Sequence, residues 1–131
     1  MIYFWVILGS ALGGGARYLV SGLAAHHIGE TFPWGTLIVN MTGSLVIGFF
    51  STLTGPDGRV FIGSEGRQFV MTGICGGYTT FSSFSLQTLN LVRDGEMALA
   101  GANIGMSFLL CLVAVWIGHI AAAALNQLKG V

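Results

Sequence analysis

The stretch Cys75-Gly76-Gly77-Tyr78-Thr79-Thr80-Phe81-Ser82-Ser83-Phe84-Ser85 decides how this chain is built. It lies inside a long apolar run, yet it opens on paired glycines and continues through hydroxyl-bearing and aromatic residues. Each glycine weakens a helix by roughly 1 kcal/mol relative to alanine. Two arrangements fit. In one, the helix is continuous, its glycines serve packing and its hydroxyls bond back to the preceding turn. In the other, the helix breaks near mid-membrane and frees carbonyl oxygens, which can bind a cation. We expect the break. Non-helical backbone at membrane depth is tolerated only where it is buried in protein or lines a polar cavity.

Composition places the run in a bilayer. Of 131 residues, 53% are hydrophobic and 8% are charged, against about 25% charged in an ordinary soluble domain. A soluble protein of this size has too much surface for its volume to hide so much apolar area. The bilayer is therefore the expected solvent, and the length allows one domain over residues 1–131. The formal net charge is zero, which leaves no electrostatic footprint for nucleic acid. Cys75 and Cys111 both lie in apolar stretches and read as buried thiols, without disulfide or metal-site spacing.

A spanning helix needs about 20 mostly apolar residues. Four stretches qualify: about Ile2 to Ala25, Trp34 to Leu53, Gln68 to Val92 and Met97 to Leu125. The predicted fold is thus an all-α integral membrane domain of four transmembrane helices, the third broken. Pro33 opens the second helix, where a missing N–H does no harm. Gly55-Pro56-Asp57-Gly58 closes it as a turn, and Asp94-Gly95 marks the bend before the fourth. The first stretch has no basic start and a long apolar run, so it reads as a mature helix and not a signal peptide. Gly13-Gly14-Gly15 sits inside that span with no strand before it, which argues against a phosphate loop. Close helix packing explains nearly all the glycines.

Orientation is weakly specified. With four spans, Arg59, Arg67 and Lys129 share one side, and Arg93, with Arg17 if it lies near the helix end, takes the other. Lys and Arg excess normally fixes the cytoplasmic face. Either other cues orient the chain, or copies insert both ways and pair antiparallel.

Polar residues recur on one face of three spans. On the second, Thr36, Asn40, Gly43, Ser44, Ile47 and Ser51 form a small, polar stripe. An amide in hydrocarbon demands partners, so Asn40 is either glue between helices or a donor into a pore. On the fourth, Asn103, Ser107 and Cys111 are spaced by four. On the third, Phe81, Phe84, Ser85 and Thr88 share a face, with Thr79, Ser83 and Asn90 opposite. Phenylalanines at helical spacing serve packing. Alternatively their positive ring edges, aimed into a narrow passage, attract an anion, with flanking hydroxyls as donors. Arg17 is the strongly ionised residue inside a span. It is a functional candidate, or it snorkels to the interface. His119 reads as a hydrogen-bonded core histidine.

All five acidic residues fall in loops. A buried carboxylate usual for proton- or cation-coupled transport is therefore missing from the spans. No nucleophile stands with a base and an orienting acid, so the chain does not read as an enzyme.

The segment Gly76 to Ser85 resembles the signature of the Fluc fluoride channels, also called the CrcB family. Gly13 to Tyr18 with Arg17, and Pro33-Trp34-Gly35-Thr36-Leu37 with Asn40, resemble that family's first and second helices in place and order. The resemblance covers the whole chain. Gln87 departs from it, since family members often carry Glu there, and Asn103 stands where some relatives have an aromatic. The resemblance implies a dual-topology antiparallel homodimer with two pores in the plasma membrane, the inner membrane if the source is bacterial. It implies passive fluoride efflux that protects the cytoplasm. It implies a structural sodium ion held by the backbone carbonyls of Gly76 and Thr79 from both subunits. Phe81 and Phe84 correspond to the phenylalanines facing fluoride, Asn40 to the pore asparagine and Ser107 to a pore hydroxyl, with Thr80 and Ser83 beside them. Arg17 is left to a vestibule or a structural role. The competing reading is a small dual-topology multidrug exporter, which needs a membrane-embedded Glu that this sequence lacks. A third is a non-transporting assembly subunit.

Overall fold

In a computed structural model describing residues 1–128, every regular element is helical. Helix α1 covers Ile2–His27 and α2 covers Trp34–Leu53. The third traverse, residues 64–93, is composite. It begins as α3 (Ser64–Gln68), widens into a π-helical stretch (Phe69–Cys75), and tightens into α4 (Gly76–Tyr78). It is then extended at Thr79 and Thr80 before restarting as α5 (Phe81–Arg93). Helix α6 covers Met97–Gln127. Three helices, α1, α2 and α6, are each long and apolar enough to cross a membrane. The interrupted traverse makes the fourth.

The expected elements are in place. The second span has the bounds read from the sequence, with Pro33 as its N-cap, whose carbonyl accepts from the Leu37 amide at 3.2 Å. The Gly58 amide bonds the Gly55 carbonyl at 2.9 Å, closing the predicted turn. Gly95 makes the bend before α6 with φ of 78°, a conformation L side chains rarely adopt. The third traverse starts earlier than expected, at Ser64, which takes Glu65 and Arg67 into its first turn.

The outer surface is apolar: Ile7 is 68% exposed, Leu109 64% and Leu112 67%. Facing water, such a surface would aggregate, whereas facing acyl chains it is solvated. The interior is correspondingly made of small residues, among them Val39, Ala100, Ala114 and Ala122. Helices meet where side chains are missing. A Cβ at Gly118 would stand 2.8 Å from the Phe49 nitrogen of α2, and one at Gly9 would stand 2.9 Å from the Gly73 Cα of the π stretch. Without a hydrophobic force between helices in lipid, this backbone proximity is what holds α2 to α6 and α1 to the third traverse.

The basic residues used to judge orientation also have structural work. Arg59 donates from its backbone amide to Asn126 Oδ1 (2.9 Å) and from Nη1 to the Leu125 carbonyl (3.2 Å). Arg67 reaches the Ser51 carbonyl (3.4 Å) and the Thr54 hydroxyl. Both guanidinium groups therefore sit at helix C-termini, where free carbonyls and the helix dipole favour a cation. Lys129 lies outside the described residues. His119 is hydrogen-bonded as expected, to Thr52 Oγ1 at 2.8 Å. It is not a core residue, however, because its side chain is exposed on the protein surface.

Candidate functional site: a cavity at the helix break

The break follows from backbone bookkeeping. In a continuous helix the Thr80 amide would seek the Gly76 carbonyl. Thr79 (φ −80°, ψ 157°) and Thr80 (φ −152°, ψ 113°) are instead extended. In lipid, the freed groups require partners. Asn40 of α2 supplies two. Its Oδ1 accepts from the Thr80 amide at 2.8 Å, and its Nδ2 donates to the Thr80 carbonyl at 3.1 Å. The pairing also fixes which way the amide points, since only Oδ1 can accept. Arg17 Nε donates to the Gly77 carbonyl at 3.2 Å. Arg17 thus turns inward to the break, and does not snorkel to the interface.

Thr80 starts the second half of the helix. Its hydroxyl accepts from the Ser83 amide at 3.1 Å, a helix N-cap. Thr79 folds its hydroxyl back to the Cys75 carbonyl at 2.9 Å. Because the chain is extended between them, Thr79 and Ser83 do not share a helix face, and the predicted polar face of Thr79, Ser83 and Asn90 does not form. Thr79 borders the cavity described next, and Asn90 borders a different one.

Three walls enclose a cavity of about 300 Å³ beside the break. Helix α2 contributes Asn40, Gly43, Ser44 and Ile47, four of the six residues of the stripe read from the sequence; Thr36 and Ser51 do not line it. The broken traverse contributes Cys75, Gly76, Thr79, Thr80, Phe81 and Phe84, and α6 contributes Ser107, Phe108 and Cys111. The Phe81 and Phe84 rings are tilted by 53° with centroids 5.4 Å apart. Phe84 is buried and meets Phe108 edge to face at 5.9 Å, whereas Phe81 is 68% exposed. Of the site residues anticipated, Asn40, Thr80, Phe81, Phe84, Ser107, Gly76 and Thr79 come together here. Ser83 does not line the cavity, and its amide serves the cap. Phe108 was missed, because in the apolar run of α6 it looks like any lipid-facing residue.

A hydrogen-bonded chain holds the α6 wall. Ser107 Oγ donates to Asn103 Oδ1 (3.4 Å), Asn103 Nδ2 to Thr88 Oγ1 (2.9 Å), and Thr88 Oγ1 to the Phe84 carbonyl (2.8 Å). The first bond is long, so turning the Ser107 hydrogen into the cavity costs little. Asn40 likewise keeps one of its two N–H groups beyond the bond to Thr80. The cavity therefore offers sparse neutral donors, aromatic rings and the start of α5, whose dipole favours negative charge.

A second cavity, about 530 Å³, lies between α1, the loop from Gly29 to Pro33, the first turn of α2 and the end of α5. Gln87 borders it, and Gln87 Oε1 is buried there with no hydrogen-bond partner among the described residues.

Residues 4–119 match the family described as CrcB-like protein, Camphor Resistance (CrcB). The chain belongs to the CrcB family. This CrcB chain is 64% identical over 98% of its length to the fluoride-specific ion channel FluC of Opitutus terrae, and covers 98% of that protein. It is 58% identical to proteins of the same name from Methylocella silvestris, with 99% of each chain covered, and Rhodospirillum rubrum, with 97% and 98% covered.

Proposed function

We propose that this chain is a fluoride-specific ion channel, a passive transporter and not an enzyme. The observation that carries the reading is the cavity at the break. Asn40, Ser107, Phe81 and Phe84 there surround a space with neutral donors and ring edges and no carboxylate. Near full-length relatives named for fluoride support the choice of ion. Fluoride is small and strongly hydrated, so a conducting path must replace its water without binding it tightly. One N–H from Asn40, the hydroxyls of Ser107 and Thr80, and the positive ring edges of Phe81 and Phe84 supply such weak contacts.

We further infer that the working unit is an antiparallel homodimer in the plasma membrane. Phe81 is a site residue left 68% exposed by one protomer. A second copy would cover it. Gly76 and Thr79 at the break also fit the sodium ion that the family resemblance implies. They would offer backbone carbonyl oxygens, hard neutral donors suited to a monovalent cation. The matching carbonyls of a partner would join them around the ion. The ion would pin the breaks of the two protomers together.

Liposomes loaded with fluoride and reconstituted with the purified protein test the function. Addition of an ionophore to dissipate the membrane potential should release fluoride, read by an electrode, with no proton or sodium gradient imposed. Release no faster than from protein-free vesicles rejects the channel. A C-terminal tag reachable from both sides of the cell membrane supports dual topology, and access from one side alone rejects it.

A further inference from the structure

The cavity has a second chemistry that the conduction of an anion does not use. Cys75 and Cys111, the two cysteines of the chain, are both free thiols and both line it. Their directions follow from neighbours. Gly73 and Gly77 press against α1, where added Cβ atoms would stand 3.0 Å from the Gly9 Cα and 2.8 Å from the Ser10 Cα. Cys75 lies midway between them, about half a turn round the helix, and so faces away from α1 toward α2 and α6. Cys111 on α6 lines the same cavity, together with Ser44 of α2. Two thiols thus border one cavity, one from the broken traverse and one from α6.

We propose that Cys75 and Cys111 form a two-coordinate thiolate site for a soft cation of the Hg²⁺, Ag⁺ or Cu⁺ class, and that filling it occludes the cavity. Thiolates select soft ions. A tetrahedral zinc site needs three or four protein ligands, and no cluster of three His, Cys, Asp or Glu occurs among the described residues. Ions content with two ligands remain. In the binding step two S–H bonds break, two sulfur–metal bonds form and two protons leave, with no change of oxidation state. With Hg²⁺ the product is electrically neutral, which suits a wall of apolar side chains, where an uncompensated charge is costly.

The occlusion half rests on the channel reading, and the metal site does not. Purified dimer is therefore titrated with HgCl₂ and its bound mercury counted by mass spectrometry, beside fluoride release from liposomes. One mercury per protomer is expected. Cys75→Ala and Cys111→Ala should each raise the half-blocking concentration by roughly 100-fold relative to that variant's own unblocked flux, since a second ligand acts at high effective concentration. Cys111→Ser serves as a second variant at the less buried position, with gel filtration reporting assembly. Either single variant binding mercury as tightly as the parent overturns the two-thiol site. Full mercury occupancy with undiminished flux overturns the occlusion. Mercury binding that needs both cysteines in a protein without fluoride flux leaves the site standing and rejects the channel instead.

Discussion

The α2–α6 pair and the interrupted traverse of residues 64–93 meet the same constraint in opposite ways. Helices α2 and α6 satisfy their backbone internally and pack where glycines meet opposing backbone, as Gly118 does against Leu45 and Phe49. Outside groups serve only their C-terminal carbonyls, Arg67 on α2 and Arg59 on α6. The traverse opens its backbone at Thr79 and Thr80 and depends on groups from elsewhere, Asn40 from α2 and Arg17 from α1. The continuous pair reaches the cavity through side chains alone, such as Asn40 and Ser107, because a closed helix presents nothing else. The interrupted segment can present carbonyls and a helix start at membrane depth, and its dependence on borrowed partners makes it fragile. Asn40 is the joint between the two regions.

Breaking that joint should have the largest effect. Asn40→Asp keeps an acceptor for the Thr80 amide but loses the donor to the Thr80 carbonyl, leaving a partly buried group unpaired at a cost of about 1–3 kcal/mol. It also sets a negative charge where an anion must pass. Fluoride release should fall to the level of protein-free vesicles while gel filtration still reports an assembled protein. Near-normal release would make Asn40 a clamp only and separate the scaffold from the conduction path.

The aromatic pair comes next. Phe81→Ile and Phe84→Ile keep bulk but remove the ring quadrupole, and similar-volume swaps typically cost less than about 1.5 kcal/mol in packing. Release should drop by orders of magnitude at each position. The environments differ: Phe84 is buried against Phe108, while Phe81 stands on the exposed side of one protomer. Full loss at Phe84 with full activity at Phe81 would place the passage within one protomer, and equal losses would require a covering partner.

How far the sequence reached follows the same division. The scaffold was legible: Pro33 and Gly55-Pro56 bracket α2 at Trp34–Leu53. Spacing also put Asn40, Gly43, Ser44 and Ile47 on one wall. The break was legible from Gly76-Gly77 and the hydroxyl run. Its consequences were not, because helical spacing assumes an unbroken helix, and Thr79 was therefore grouped with Ser83. The π stretch over Phe69–Cys75 was invisible, since its side chains carry nothing that separates i→i+5 from i→i+4 bonding. The inward turn of Arg17 required knowing that the Gly77 carbonyl was free. Phe108 required knowing which side of a uniformly apolar helix faces the cavity.

The smallest expected effect concerns two neighbouring hydroxyls that the sequence treats alike. Thr80 borders the cavity, and its Oγ1 caps α5 by accepting from the Ser83 amide. Ser83 enters that cap through its backbone, and its own hydroxyl is not part of the cavity wall. Thr80→Val keeps the shape of the side chain and removes the cap, which should cost about 0.5–2 kcal/mol and lower the melting temperature of the purified protein. It should also slow fluoride release a few-fold, because the cap fixes where α5 begins. Ser83→Ala leaves the amide in place and should change neither melting nor release beyond experimental scatter. If Ser83→Ala slows release as much as Thr80→Val, the Ser83 hydroxyl meets the ion from a surface that one protomer does not complete. The interrupted segment would then reach into the passage of a partner as well as its own.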